Sequence, residues 1–235
     1  MKKLLRNACL VVVFIAMFAP IVNGQIIYDL SDDWSYSSNP NGTWSYNEGT
    51  NPLTNTEYEW GGVTGETFWR PISGHNPPAM CKAVTTTNDN WQAGDVMIHS
   101  ATPTAEWGLA NVTWTASSDG TINIDGFAWD AGHSSDRDDL WRLSVNDTIY
   151  AQKSSIYGLN KIDAEALFGA NLVTGMSLDE IEVVTGDVVK FELEALTTYG
   201  SFVGVDMQID FTTIPEPATV SLLVFGGLAL LRKRK

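Results

Sequence analysis

Four aspartates fall within ten residues in "DAGHSSDRDD": Asp130, Asp136, Asp138 and Asp139. Carboxylates crowded into one loop suit calcium, which collects roughly six to eight hard oxygens from flexible backbone. The stretch lacks the D-x-[DN]-x-[DN]-G order of an EF-hand, and Arg137 stands inside it. Two readings stand side by side: a calcium loop, and a solvated acidic loop with Arg137 as its counter-ion. The other group with chemistry in it is aromatic. The twin "WSY" of "DDWSYSSNPNGTWSY" sets Trp34, Tyr36, Trp44 and Tyr46 close together. Such rings can stack on flat sugar faces when exposed, and they dominate cores when buried. The four are therefore either a carbohydrate platform or hairpin and core packing.

Catalysis finds less support. His75, His99 and His133 are scattered, and none belongs to an H-E-x-x-H zinc motif. No G-x-S-x-G nucleophile turn occurs, and no glycine-rich phosphate loop opens a helix. Glu180/Glu182 and Glu192/Glu194 could each share a strand face, as the carboxylate pair of a glycosidase must flank its substrate. In a chain with 28 acidic residues such pairs arise by chance, so the expectation is a protein that is not an enzyme. Cys81 has only Cys9 as a potential partner, and Cys9 lies in the apolar N-terminal stretch. An internal disulfide is excluded once that stretch is removed, and Cys81 reads as a small buried hydrophobe or an intermolecular thiol.

The charge is uneven along the chain. Of the 28 acidic residues, 27 lie between Gln25 and Ile214, against seven of the 14 basic ones, leaving that span near −20. A field of this sign repels phosphate backbones and anionic lipid, which argues against a nucleic-acid partner. It favours solubility, divalent cations, and neutral or cationic ligands.

The elements that would position these groups are strands. In "SFVGVDMQIDFTT" Val203, Val205, Met207, Ile209 and Phe211 alternate with Gly204, Asp206, Gln208 and Asp210, which predicts a strand with one buried face. "GDVVKFELEA" repeats the scheme with Val189, Phe191, Leu193 and Ala195. "LANVTWTASSDGTINIDGFAWDAG" predicts two strands around Ser117-Ser118-Asp119-Gly120. Its apolar set moves from Ile122 and Ile124 to Phe127 and Trp129, which predicts a bulge near Asp125-Gly126. "LWRLSVNDTIYAQ" predicts a hairpin around Asn146-Asp147. Shorter candidates are 26–30, 43–47, 57–60, 66–70 and 95–99, and only 160–171 could form two turns of helix. Many short strands with frequent turns predict an all-β protein, a single jelly roll or β-sandwich spanning 25–213.

The two ends read as addresses. "MKKLLRNACLVVVFIAMFAPIVNG" has Lys2, Lys3 and Arg6, an apolar run from Ala8 to Val22, and small residues before Gln25. That is the pattern of a secretory signal helix over 1–24. The other end, "IPEPATVSLLVFGGLALLRKRK", carries no charge from Ala218 to Leu231, a helix of about 21 Å, or roughly 27 Å counted from Ile214. A bilayer's hydrocarbon core is ~30 Å, so the segment can span as a transmembrane helix. Arg232, Lys233, Arg234 and Lys235 would stop it on the cytoplasmic side.

Pro215-Glu216-Pro217, the apolar helix and the basic end together resemble the PEP-CTERM sorting tail, also called an ice-binding-protein C-terminal domain, over 214–235. The resemblance implies recognition by an exosortase-type membrane protease and delivery to the cell surface or extracellular matrix, after transient anchoring in the cytoplasmic membrane. It implies nothing about ice. "NPNGTWSYN", "GDVMIHS" and "VVTGDVVKFELEA" further resemble the galactose-binding-like or lectin-like jelly-roll bodies of PEP-tailed proteins. That likeness implies a polysaccharide ligand and, through a last-strand aspartate at Asp206, a structural calcium. The expected function is non-catalytic carbohydrate binding outside the cell. A matrix or envelope component with no defined ligand is the alternative, and a small glycoside hydrolase comes third.

Overall fold

Alternation is the rule that builds this protein. In the longest strand Val203, Val205, Met207, Ile209 and Phe211 are buried, while Asp206, Gln208 and Asp210 between them stay half-covered. The computed structural model describes residues 24–71, 78–101, 108–132 and 137–214. Residues 1–23, where the signal helix is expected, the tail with Pro215, Glu216, Pro217 and its four terminal cations, and His75, His133 and Asp136 lie outside the described residues. Among the described residues no helix is long and apolar enough to cross a membrane.

The strands are β1 (Gln25–Asp29), β2 (Trp44–Glu48), β3 (Asn51–Pro52), β4 (Asn55–Tyr58), β5 (Thr67–Arg70), β6 (Ala79–Lys82) and β7 (Val96–His99). They continue as β8 (Ala110–Thr115), β9 (Gly120–Asp130), β10 (Asp139–Val145), β11 (Thr148–Ser154), β12 (Ile181–Val183), β13 (Val188–Ala195) and β14 (Phe202–Thr213). They form two antiparallel sheets. The first runs β12-β9-β14-β7-β6-β5-β4, with β1 also paired to β14. The second runs β11-β10-β13-β8-β2-β3. Residues Ile26 to Phe211 form one compact unit. Gly24–Gln25 and Thr212–Ile214 belong to a second, in which the Thr213 N–H donates to the Gly24 carbonyl (3.4 Å).

Between the sheets lies an aromatic-rich core. The second sheet contributes Tyr46, Trp114, Trp141 and Phe191; the first contributes Trp69, Met80, Ile98, Ile124 and Ile209. The hairpin at Asn146-Asp147 is present, with φ of +48° and +64° at its two central residues. Two positive φ values give the turn a twist that matches the flanking strands.

Two sequence expectations need correction. The apolar shift from Ile122 and Ile124 to Phe127 and Trp129 is not a change of face. Ile122, Ile124 and Ala128 keep the same parity and enter the same intersheet core, whereas Trp129 and Ala131 join a separate cluster. From Phe127 onward β9 is covered on both faces, so its apolar residues cease to alternate. Gly126 is needed for another reason: its φ is +149°, and a Cβ there would meet the Asp206 carbonyl oxygen at 2.1 Å. The stretch 160–171, which could form two turns of helix, forms no α-helix either. Bridges pin Leu167 to Phe127 and Leu172 to Ala151, so the segment becomes two 3₁₀ turns, Ala164–Ala166 and Phe168–Asn171. A continuous helix could not keep both ends on different strands.

Candidate binding face on the second sheet

The aromatic quartet divides into two buried rings and two half-buried ones. Trp44 and Tyr46 are fully buried, and Trp34 and Tyr36 pack against the same core. The Trp34 ring stacks on Tyr46 at 4.1 Å and meets Tyr36 edge-on at 5.7 Å. Trp44 Nε1–H donates to Asp33 Oδ2 (3.0 Å), and the Tyr36 hydroxyl donates to the Lys82 carbonyl (2.6 Å). Burial pushes the Tyr46 hydroxyl up to about 12. Trp44 and Tyr46 therefore have no ring face in contact with water, while Trp34 and Tyr36 keep part of theirs exposed.

The acidic loop divides by role. Asp130 accepts the Gly132 and Gly158 N–H groups (3.0 and 2.8 Å), and Asp138 Oδ1 accepts those of Asp139 and Tyr157 (2.9 and 3.1 Å). These carboxylates tie down loop backbone, as short acidic side chains commonly do. Asp139 is buried, and its Oδ1 has no hydrogen-bond partner. Burial pushes its pKa up to about 7, opposed by the Ser100 hydroxyl and reinforced by Asp138 and Asp130. Among the described residues no three His, Cys, Asp or Glu stand together as a metal site. The described part of the loop therefore does not gather the roughly six oxygens that calcium requires. Asp206 lies on β14, and its pKa is raised by burial and then by Asp29, with Lys161 opposing.

The other chemistry-bearing candidates are structural. Cys81 is fully buried, and burial holds its thiol well above the usual range. His99 sits edge-on to Trp60 and Phe202 at 5.1 and 4.8 Å. Burial pushes it down to about 4 against the hydrogen bond to the Ser100 carbonyl.

The hydrogen-bonding surface lies between the aromatics that the sequence brings to notice. Ser45 and Asn47 alternate with Trp44 and Tyr46 on β2, so they face outward where the rings face inward. On β8 Asn111 and Thr113 alternate with Val112 and Trp114 in the same way. Antiparallel register then joins residues far apart in sequence. One row runs Ser45, Thr113, Lys190, Ser144; the next runs Asn47, Asn111, Glu192, Arg142. Asn47 Nδ2–H donates to Asn111 Oδ1 (3.1 Å) and to Thr113 Oγ1 (3.2 Å), while Ser45 Oγ–H donates to Asn47 Oδ1 (2.7 Å). Asn111 Nδ2–H holds the Gly49 carbonyl (2.8 Å). Arg142 pairs with both Glu192 and Glu194, and Lys190 pairs with Asp147 (3.2 Å).

A groove of about 470 Å³ opens along the first row, between the Gly49–Pro52 turn and the Asn146-Asp147 hairpin. Its polar lining includes Ser45, Asn47, Asn111, Thr113 and Lys190. Volumes of this order hold small ligands or one to two sugar rings. The outward parity of "WSYNE" and "ANVTWT" could have pointed to these residues, but their meeting depends on a β2–β8 pairing that spans more than sixty positions. No family model matches the chain, and no curated protein matches it.

Proposed function

We propose that this is an exported, non-catalytic carbohydrate-binding protein of the cell surface or extracellular matrix, built as a jelly-roll β-sandwich. The observation that carries the binding reading is the groove on the second sheet, where hydroxyls and amides from β2 and β8 converge beside Lys190 of β13. Ser, Thr and Asn both donate and accept, so such a row is complementary to a neutral polyol, whose hydroxyls do likewise. The face also argues for binding over hydrolysis. Glu192 and Glu194 both lie against Arg142, an arrangement that leaves neither carboxylate poised as a lone general acid. A competing reading, a structural matrix component, draws on the same residues: Asn47 and Asn111 already satisfy much of their capacity with each other and with backbone.

A glycan array, probed with the protein with and without calcium, tests the proposal. Neutral glycans should bind, and Thr113→Trp, which fills the groove from its floor, should lower binding at least tenfold while the circular dichroism spectrum is unchanged. Absence of binding under both conditions, or a Thr113→Trp variant that binds as the parent does, would leave the structural reading in place. Sorting rests on the resemblance of Pro215-Glu216-Pro217 and the basic end to the exosortase-recognised tail. Cell fractionation of the parent and Glu216→Ala should show the variant retained in the membrane fraction. Identical partitioning would remove that part of the proposal.

A further inference from the structure

A second groove, on the outer face of the first sheet, differs in kind from the polar one. It measures about 440 Å³ and lies where β9 and β14 meet the segment that carries the 3₁₀ turns. Phe127, Leu167, Leu172 and Leu178 give it apolar walls. Leu167 and Leu172 are 48% and 40% exposed, so among the described residues part of their apolar surface faces the groove uncovered. The polar groups that line it are Asp125, Asp179, Asp206 and Gln208, with Ser177, and no lysine or arginine is among the lining residues. Gln208 turns its amide to Asp210 (2.8 Å). The cation whose charge acts on Asp206 is Lys161, which is itself paired with Asp95 and lies over the Trp129 ring at 5.0 Å.

We propose that this groove binds a small organic cation with an apolar body, an alkyl ammonium being its simplest form. The complementarity is twofold. Asp125, Asp179 and Asp206 line the groove with no lysine or arginine among the lining, so a positive head can sit beside any of them in a site partly removed from water, where charge interactions are stronger than in bulk. The exposed leucines and the half-buried Phe127 ring cover the apolar part, and an aromatic face beside carboxylates also suits an ammonium group. An anion is repelled, and a bare metal ion finds no cluster of ligating groups here, since no three acidic or histidine side chains of the described residues stand together for one. The span's charge near −20 draws cations toward the surface generally. This site stands apart from the proposed glycan face and does not depend on it.

Titration of the full chain with hexylammonium, hexanol and hexanoate, followed by calorimetry and by chemical-shift mapping, tests the inference. Hexylammonium should bind at least tenfold more tightly than hexanol, with shifts at Gly126, Gly169 and Leu172, and hexanoate should not bind. Asp179→Asn combined with Asp206→Asn should bring hexylammonium down to the level of hexanol. Gly169→Trp should abolish binding of both: a Cβ there meets nothing within 4 Å, and its φ lies outside the left-handed region, so the ring can fill the groove without backbone strain. Equal affinity for hexylammonium and hexanol, no binding of hexylammonium, or binding that survives Gly169→Trp would each overturn the assignment.

Discussion

The two sheets present opposite outer faces. On the first, at the end where β5, β6, β7 and the start of β14 lie together, the outward residues are Phe68, Cys81, Met97 and Phe202, and they form a second apolar cluster. Loop residues Trp60, Val63 and Trp91 cover it. On the second sheet the outward residues are polar: Ser45, Thr113, Lys190 and Arg142 with its two glutamates are half-covered, Asn47, Asn111 and Ser144 are buried, and among the described residues no apolar cluster forms on them. Both faces obey the same period of two; what differs is whether loops are long and aromatic enough to close over them. Glu66 shows how the cover is fixed: fully buried, it accepts the Val84 and Thr85 N–H groups (2.8 and 3.0 Å) and the Thr85 hydroxyl (2.7 Å), tying the loop before β5 to the chain after β6. The first sheet thus carries apolar packing on its outer face as well as its inner one, and the outer face of the second sheet stays polar.

The contrast breaks most sharply at Trp129. Its ring is fully buried in the outer cluster, lies over Gly204, and donates Nε1–H to the Asn90 carbonyl (2.7 Å). Trp129→Ala should cost about 3–5 kcal/mol, the usual loss for a large buried aromatic. Arg142→Met, on the half-exposed polar face of the second sheet, should cost less than about 1 kcal/mol, as ion pairs in partial contact with water do. Urea denaturation of both variants measures the difference. Comparable losses would mean that the outer cluster is no true core.

How much of this was legible in the sequence follows from which faces are wet. β13 and β14 have one dry and one wet face, and their alternation predicts them almost residue for residue. β6, "AMCK", is dry on both faces, with Met80 in the intersheet core and Ala79 and Cys81 in the outer cluster, so it has no alternation to read. The same double burial makes the end of β9 look like a bulge. Trp34, Tyr36, Trp44 and Tyr46 were visible as a group, but residue type does not say which side of a strand is wet. The burial of Trp44 and Tyr46 brings forward Ser45 and Asn47 beside them, which only the pairing with β8 makes into a surface. The groove at Leu167 was hidden for a related reason: it exists because bridges to β9 and β11 break a segment whose composition suits a helix.

Asp139 sharpens the comparison from within the second sheet. Arg142, three residues along β10, faces outward and finds two carboxylates; Asp139 faces inward with one oxygen unpartnered. Its carboxyl has a pKa near 7 in the fold against an ordinary 3.8, because burial disfavours the charged form. The folded state therefore binds this proton more tightly than the unfolded chain does. The stabilisation is fully present below about pH 3.8, declines as the unfolded group ionises, and is gone above about pH 7. A shift of this size corresponds to a stability change on the order of 4 kcal/mol across that window. The parent protein should accordingly gain stability as pH falls from 8 to 5. Asp139→Asn, which keeps the shape without the charge, should be more stable than the parent at pH 8 and show a flatter dependence. Denaturation midpoints at the two pH values decide it. A parent that loses stability from pH 8 to 5, with Asp139→Asn following in parallel, would show that this carboxylate is paired in solution and that the inward face of the second sheet tolerates charge as readily as the outward one.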